Sequence, residues 1–125
     1  TSNATRLIYC SGKIYHDLVA ERARLNETTT AIVRVERLYP LPVAQMEVEA
    51  KKHPNANLLW VQDEPANQGA WPHVALSTTE VIGGTAVDGR VLRRISRRAS
   101  ASPATGNHHL HEEEAKALMY EAFTR

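Results

Sequence analysis

Hydrophobic and polar positions follow two rhythms along this chain. Arg6-Leu7-Ile8-Tyr9-Cys10 is a short apolar run stopped by Ser11-Gly12, which predicts a buried strand and then a turn. Over 13–25 the spacing becomes helical. Ile14, Tyr15, Leu18, Val19 and Leu25 share one stripe, Asp17, Glu21 and Arg24 lie outside it, and Ser11 is the expected cap. The β-branched stretch Thr30-Ala31-Ile32-Val33-Arg34-Val35 predicts a second strand. Pro42 suits the first turn of a helix that carries Val43, Met46 and Ala50 and fades at His53-Pro54. Leu58-Leu59-Trp60-Val61 predicts a third strand, and 63–69 a polar loop. A helix then starts around Ala70 to Pro72 and ends near Leu76 or Glu80, with turns at Gly83-Gly84 and Asp88-Gly89. A fourth strand is expected over 90–96, carrying Val91, Leu92 and Ile95. A last helix follows over 109–123, with Ala115, Leu118, Met119, Ala122 and Phe123 inward. Four strands alternating with four helices predict an α/β domain with a mostly parallel sheet and helices on both faces.

Composition narrows the function classes. A chain of 125 residues fits one domain. Hydrophobic residues at 42% and charged residues at 23% exclude disorder as the leading idea. A net charge of +1 argues against a nucleic-acid partner held by bulk charge. The apolar runs are far shorter than the roughly 20 residues of a membrane span, and no apolar leader stands at the N-terminus. The single cysteine, Cys10, fits a reducing compartment such as the cytoplasm. Ser2-Asn3-Ala4 resembles the scar of a cleaved expression tag. Residues 1–4 are therefore expected to be a tag remnant and 5–125 the domain, a piece of something longer.

Candidate chemistry is sparse. Neither phosphate-loop fingerprint and no G-x-S-x-G elbow is present. Ser11-Gly12-Lys13 stands at a strand-to-helix turn, where N–H groups can bind an anion, or simply turn the chain. Cys10 reads as a structural thiol within a strand. His108, His109 and His111 cluster without further ligands, which favours a solvated helix start over a metal site. Arg90, Arg93, Arg94, Arg97 and Arg98 form the densest charge run. On a strand, Arg93 and Arg97 point one way and Arg94 and Arg98 the other, toward phosphate, a partner's carboxylates or nearby acids. Asp63-Glu64-Pro65 occupies a strand's carboxyl end, where open α/β sheets place function. These residues form no convincing catalytic set. One reading is thus a stand-alone α/β module that binds an anion or nucleotide.

Four blocks in order carry a family resemblance. Cys10-Ser11-Gly12-Lys13-Ile14-Tyr15-His16-Asp17-Leu18 is similar to the CSGK segment of 2-oxoglutarate dehydrogenase, and 31–42 (AIVRVERLYPLP) to its AIVRIEQLYP stretch. Trp60 to Trp71 (WVQDEPANQGAW) matches WVQEEP-x-NQGAW nearly residue for residue, and 98–106 (RASASPATG) resembles RPASASPA-x-G. The chain resembles the C-terminal domain of the thiamine-diphosphate-dependent decarboxylating component, of the actinobacterial multifunctional type. The resemblance implies a transketolase C-terminal-like, three-layer α/β/α sandwich. Its mostly parallel mixed sheet would have about five strands, one of them antiparallel.

The resemblance further implies a homodimeric parent enzyme. That enzyme decarboxylates 2-oxoglutarate in the tricarboxylic acid cycle and passes succinyl to a lipoyl group on its dihydrolipoyl succinyltransferase partner. Thiamine diphosphate and Mg²⁺ would be held by the preceding catalytic domains through a Gly-Asp-Gly motif and a later Asn. Val87-Asp88-Gly89-Arg90 lacks the first Gly and that Asn, so no catalytic, cofactor or metal residue is expected in this chain. The expected role is structural, at the interface with those domains and within the dimer, through Gln62, Glu64, Asn67, Gln68, Trp71, Arg97 and Arg98. Some relatives bind acetyl-CoA as an activator at a Gln and two helix arginines. Those positions here are Arg37, Ala44 and Gln45, so weak or absent activation is expected, with Arg37 and Gln45 as the regulatory positions.

Overall fold

The computed structural model describes residues 3–38, 40–81, 84–97 and 108–124. The elements, in chain order, are β1 (Arg6–Cys10), α1 (Ile14–Arg24), β2 (Thr30–Arg34), α2 (Val43–Lys52) and β3 (Asn57–Pro65). They continue with α3 (Trp71–Ser77), β4 (Thr79–Val81), β5 (Gly84–Val87), β6 (Arg90–Arg97) and α4 (His108–Thr124). The described strands form one six-stranded sheet in the order β2-β1-β3-β6-β5-β4. β2, β1, β3 and β6 are parallel neighbours. β5 runs against both β6 and β4, so it is the one reversed strand.

Side-chain alternation divides the core into two layers. Leu7, Tyr9, Leu58 and Trp60 pack on one face against Met46 and Ala50 of α2 and Val74 of α3. Ile8, Cys10, Leu59 and Val61 pack on the other against Ile14 and Leu18 of α1 and Leu118, Ala122 and Phe123 of α4. β1 and β3 are thus buried on both faces, which is why they read as continuous apolar runs. The α/β class and the mostly parallel mixed sheet agree with expectation.

Several local expectations are corrected. The residue pattern predicted four strands and the resemblance about five; six are present among the described residues. α3 ends at Ser77, close to the Leu76 alternative, and the two strands that the residue pattern did not show, β4 and β5, pair antiparallel where it allowed a helix as far as Glu80 and a turn containing Gly84; the reversed β5 is the antiparallel strand that the resemblance implied. β3 continues through Asp63, Glu64 and Pro65 instead of ending at Val61, with a register shift against β6 between Val61 and Pro65. Ser11 does not cap α1: the N-cap position is Lys13, with no side-chain cap bond. Gly12 makes the turn there with φ +77°. Leu25 is exposed because α1 ends before it. Asn26 follows with φ 52°, and Asn26 and Glu27 donate N–H bonds to Ala23 and Arg22 carbonyls, a Schellman closure.

Other features follow from familiar chemistry. Asp88 and Gly89, both at positive φ, form the two-residue turn that joins β5 to β6. Arg90 donates to the carbonyls of His53 and Ala56 at 2.8 Å and of Ala50 at 2.5 Å, closing the C-terminal end of α2. Tyr9 donates its hydroxyl to Met46 O on the same helix. Burial pushes the Tyr9 phenol well above its ordinary pKa, against the opposing pull of Arg90.

Candidate functional site: a preorganised loop and an edge cleft

The sheet's carboxyl end carries the most ordered polar arrangement. Gln62 is 3% exposed on β3. Its Oε1 accepts the Trp60 indole N–H at 3.1 Å and the Trp71 backbone N–H at 2.9 Å. Its amide donates to the carbonyls of Pro65 and Gln68 at 2.8 Å and of Glu64 at 3.2 Å. One side chain therefore closes the segment 63–71 by standing in for backbone pairing that a loop lacks. Gly69 is part of the same closure. Its φ is +66°, and a Cβ there would meet Glu64 Oε1 at 2.8 Å. The loop leaves Glu64, Asn67 and Gln68 exposed. Trp71 is half-buried and packs on the core face of α2 and α3.

Arg97 links this end to α4. Its Nε and Nη2 each lie 2.8 Å from Asp63 Oδ1, and its Nη1 donates to Glu114 Oε2 at 2.9 Å. Burial pulls the guanidinium pKa down, but the two carboxylates outweigh it and hold the pKa above its ordinary value. Arg97 is thus committed internally. Arg90 caps α2, Arg93 and Arg94 are exposed, and Arg98 lies outside the described residues. The predicted Arg run is therefore no single patch.

Arg37 and Gln45 come together. Both line an open cleft of about 520 Å³ beside β2 and α2, with Val33, Val35, Met46 and Glu49. Ala44 is exposed on the same helix. A second open depression, about 1200 Å³, lies between α1 and α4, lined in part by Leu25, Met119, Tyr120 and Phe123.

The remaining candidates are quiet. Cys10 is fully buried and weakly bonded to Val33 O at 3.8 Å; burial pushes its thiol up to about 12. The side chains of His108, His109 and His111 lie outside the described residues. No metal-holding group of three or more His, Cys, Asp or Glu occurs among the described residues. No helix among them is long and apolar enough to cross a membrane. Asp88 sits in a hairpin turn with its carboxylate 3.5 Å from Arg90. Arg90 beside it binds carbonyls at the C-terminal end of α2, the negative end of a helix, so these residues do not fit a diphosphate–Mg²⁺ cradle.

Two things escaped the residue pattern. Nothing local separates Gln62, which builds the loop, from Gln68, which the loop displays. Arg90 likewise looks like its neighbours in the run until α2 folds back beside it.

The family model for the 2-oxoglutarate dehydrogenase C-terminal region matches residues 1–123. The chain belongs to that family. It is 45% identical over 125 residues to the 2-oxoglutarate dehydrogenase E1 component of Cupriavidus necator, covering 99% of this chain and 13% of that protein. It is 38% identical over 122 residues to the mitochondrial 2-oxoglutarate dehydrogenase of Caenorhabditis briggsae, covering 97% and 12%. A multifunctional 2-oxoglutarate metabolism enzyme of a Mycobacterium species is 40% identical over 123 residues, covering 98% and 10%. The chain thus spans about an eighth or less of these 2-oxoglutarate dehydrogenase relatives.

Proposed function

We propose that residues 5–125 are the non-catalytic C-terminal domain of a homodimeric 2-oxoglutarate dehydrogenase E1 component, and that residues 1–4 are a tag remnant. The parent enzyme works in a bacterial cytoplasm. It decarboxylates 2-oxoglutarate and passes the succinyl group to the lipoyl arm of a dihydrolipoyl succinyltransferase. Thiamine diphosphate supplies the carbanion chemistry there, held with Mg²⁺ by domains that precede this one. In this reading the present residues provide a rigid docking face.

The observation that carries the reading is the Gln62-closed loop within a chain matched to this family over nearly its whole length. A loop fixed before contact loses little entropy on docking. Glu64, Asn67 and Gln68 offer polar anchors around Trp71, an arrangement suited to an interface rim. Gln62 acts through the loop it shapes, Arg97 borders the same end, and Arg98 is counted with them in the proposed interface. The test uses the intact E1 component bearing this domain. The triple variant Glu64→Ala, Asn67→Ala, Gln68→Ala is expected to weaken dimer assembly by sedimentation and to reduce 2-oxoglutarate decarboxylation. This chain alone is expected to show no turnover with thiamine diphosphate and Mg²⁺. Turnover by this chain, or an intact enzyme indifferent to the triple variant, contradicts the reading.

The regulatory part of the reading places Arg37 and Gln45 where relatives hold acetyl-CoA. Two arginines that would bind its phosphates are replaced by Ala44 and Gln45. Each charge-assisted bond is worth about 1.5–3 kcal/mol, so weak or absent activation is expected. Tight acetyl-CoA binding by the intact enzyme in calorimetry contradicts it.

A further inference from the structure

Two helices end where the chain enters its sheet. α1 leaves the carboxyl end of β1, and α4 is tied at that end through Glu114 to Arg97, so both run back toward the amino end of the parallel strands. β1 starts at that amino end. Thr5 N donates to Thr29 O at 2.8 Å and Asn57 N donates to Thr5 O at 2.9 Å, so the chain is already within the sheet at residue 5. Strand alternation puts position 4 on the face of Arg6 and Ile8, the face that α1 and α4 cover. Ala4 is 6% exposed there, whereas Asn3 is exposed. Arg6 donates to Thr30 Oγ1 at 3.0 Å and stands 3.9 Å from the Glu27 carboxylate. The chain therefore comes in beside the C-terminal ends of α1 and α4.

The depression of about 1200 Å³ between α1 and α4 reaches this point, since Glu27 lines it. Leu25, Met119, Tyr120 and Phe123 make it apolar. Leu25 is 45% exposed and Tyr120 73% exposed. One exposed apolar residue on a surface is ordinary, but two on one concave surface above the core residue Phe123 form a patch of the kind that meets other protein. Charge does not oppose an apolar occupant. Glu21 and Arg24 neutralise each other at 2.7 Å, and Glu27 is held by Thr29 and Arg6. That leaves Asp17 and Lys116, of opposite sign.

We propose that this depression seats the stretch of the parent chain that leads into residue 5. The inference rests on the reading that residues 5–125 follow the catalytic domains of an E1 component. This chain covers only 13% and 10% of two relatives and matches the model of the family's C-terminal region, so the rest of such a parent arrives through this entry. Tyr120 stands one turn before the end of α4, about 6 Å along its axis, and an extended chain advances about 3.3 Å per residue. A short run of incoming chain therefore suffices to lay apolar side chains against Leu25, Met119 and Tyr120. Seated there, it fixes the domain at the amino end of the sheet, whereas segment 63–71 docks at the carboxyl end.

The experiment is hydroxyl-radical footprinting, read by mass on the peptides that hold Leu25 and Met119–Tyr120. It compares the 125-residue chain, the same chain extended upstream to the end of the preceding domain, and the intact E1 component. Oxidation at both sites is expected to fall at least tenfold in the extended chain and in the intact enzyme, whatever the protein concentration. The double variant Leu25→Glu, Tyr120→Glu should leave the melting temperature of the 125-residue chain unchanged. In the intact enzyme it should raise at least tenfold the rate of proteolytic cleavage just upstream of residue 5. Equal oxidation in the short and extended chains overturns the proposal. Protection seen only in the intact enzyme assigns the depression to another domain or subunit, and concentration-dependent protection of the 125-residue chain assigns it to a second copy; either overturns the proposal. So does unchanged cleavage of the double variant. None of these outcomes touches the parent reading, which fails instead by turnover of this chain or by indifference to the triple variant at Glu64, Asn67 and Gln68.

Discussion

A single oxygen of Gln62 joins two tryptophans, accepting the Trp60 indole N–H at 3.1 Å and the Trp71 backbone N–H at 2.9 Å. Removing it strands two donors at once, one of them in the core. Gln62→Ala is expected to cost about 3 kcal/mol, because each unsatisfied buried donor costs roughly 1–3 kcal/mol. Urea unfolding measures the loss, and hydrogen exchange at 65–71 should rise before global unfolding. A variant within 0.5 kcal/mol (about the noise of surface substitutions) would remove Gln62 as the loop's organiser.

Gly69 carries two separable constraints, a positive φ and the nearby Glu64 carboxylate. Gly69→Ala should destabilise by about 1–2 kcal/mol, the usual cost of a left-handed non-glycine residue, plus a crowding contribution. Adding Glu64→Ala should recover only the crowding part. Full recovery in the double variant would show that backbone strain contributes nothing.

Arg90 and Arg97 should differ in weight despite similar numbers of bonds. Arg90 satisfies carbonyls at a helix end, whereas Arg97 binds carboxylates that are 57% and 36% exposed. Exposed pairs are worth about 0.2–1 kcal/mol, so Arg97→Met should cost about 1 kcal/mol and Arg90→Met at least twice that. Thermal unfolding of the two variants gives the order. Only Arg97→Met should be mimicked by raising salt.

Cys10 is held as a neutral thiol, with a pKa near 12 in the folded chain. Its alkylation by iodoacetamide at pH 8 should therefore follow global unfolding, slowing in native buffer and reaching the rate of a free thiol in urea. Fast modification of the native chain would place Cys10 outside the core.

Acid should weaken the link between α1 and β2. The Thr29 hydroxyl and the Thr29 N–H both donate to Glu27 Oε1 at 2.6 Å and hold its carboxyl below the ordinary range. A depressed folded value means that the stabilisation is present above the unfolded pKa, about 4.3, and is lost as pH falls through the folded one. The stability difference between the wild type and Glu27→Gln should be largest at pH 6–7 and shrink below pH 4. A difference independent of pH would leave Glu27 without this role.

Much of the fold was written locally. The Leu7 to Cys10 and Leu58 to Val61 runs announce buried strands, and Asp88-Gly89 announces a turn, because each depends on a few adjacent residues. β4 and β5 were not legible. They are three and four residues long, and pairing, of β5 with β6 and of β4 with β5, rather than their own pattern stabilises them. The candidate site divides the same way. The sequence by itself determined the family, the layered α/β class and the absence of a Gly-Asp-Gly cofactor motif in this chain. Only the tertiary structure decided that Gln62 faces inward while Gln68 faces water, and that Arg90 closes a helix while Arg97 bridges two carboxylates. It likewise decided that β2 keeps an open edge beside α2. A side chain's partners across the fold depend on where distant segments return, and no residue type records that on its own.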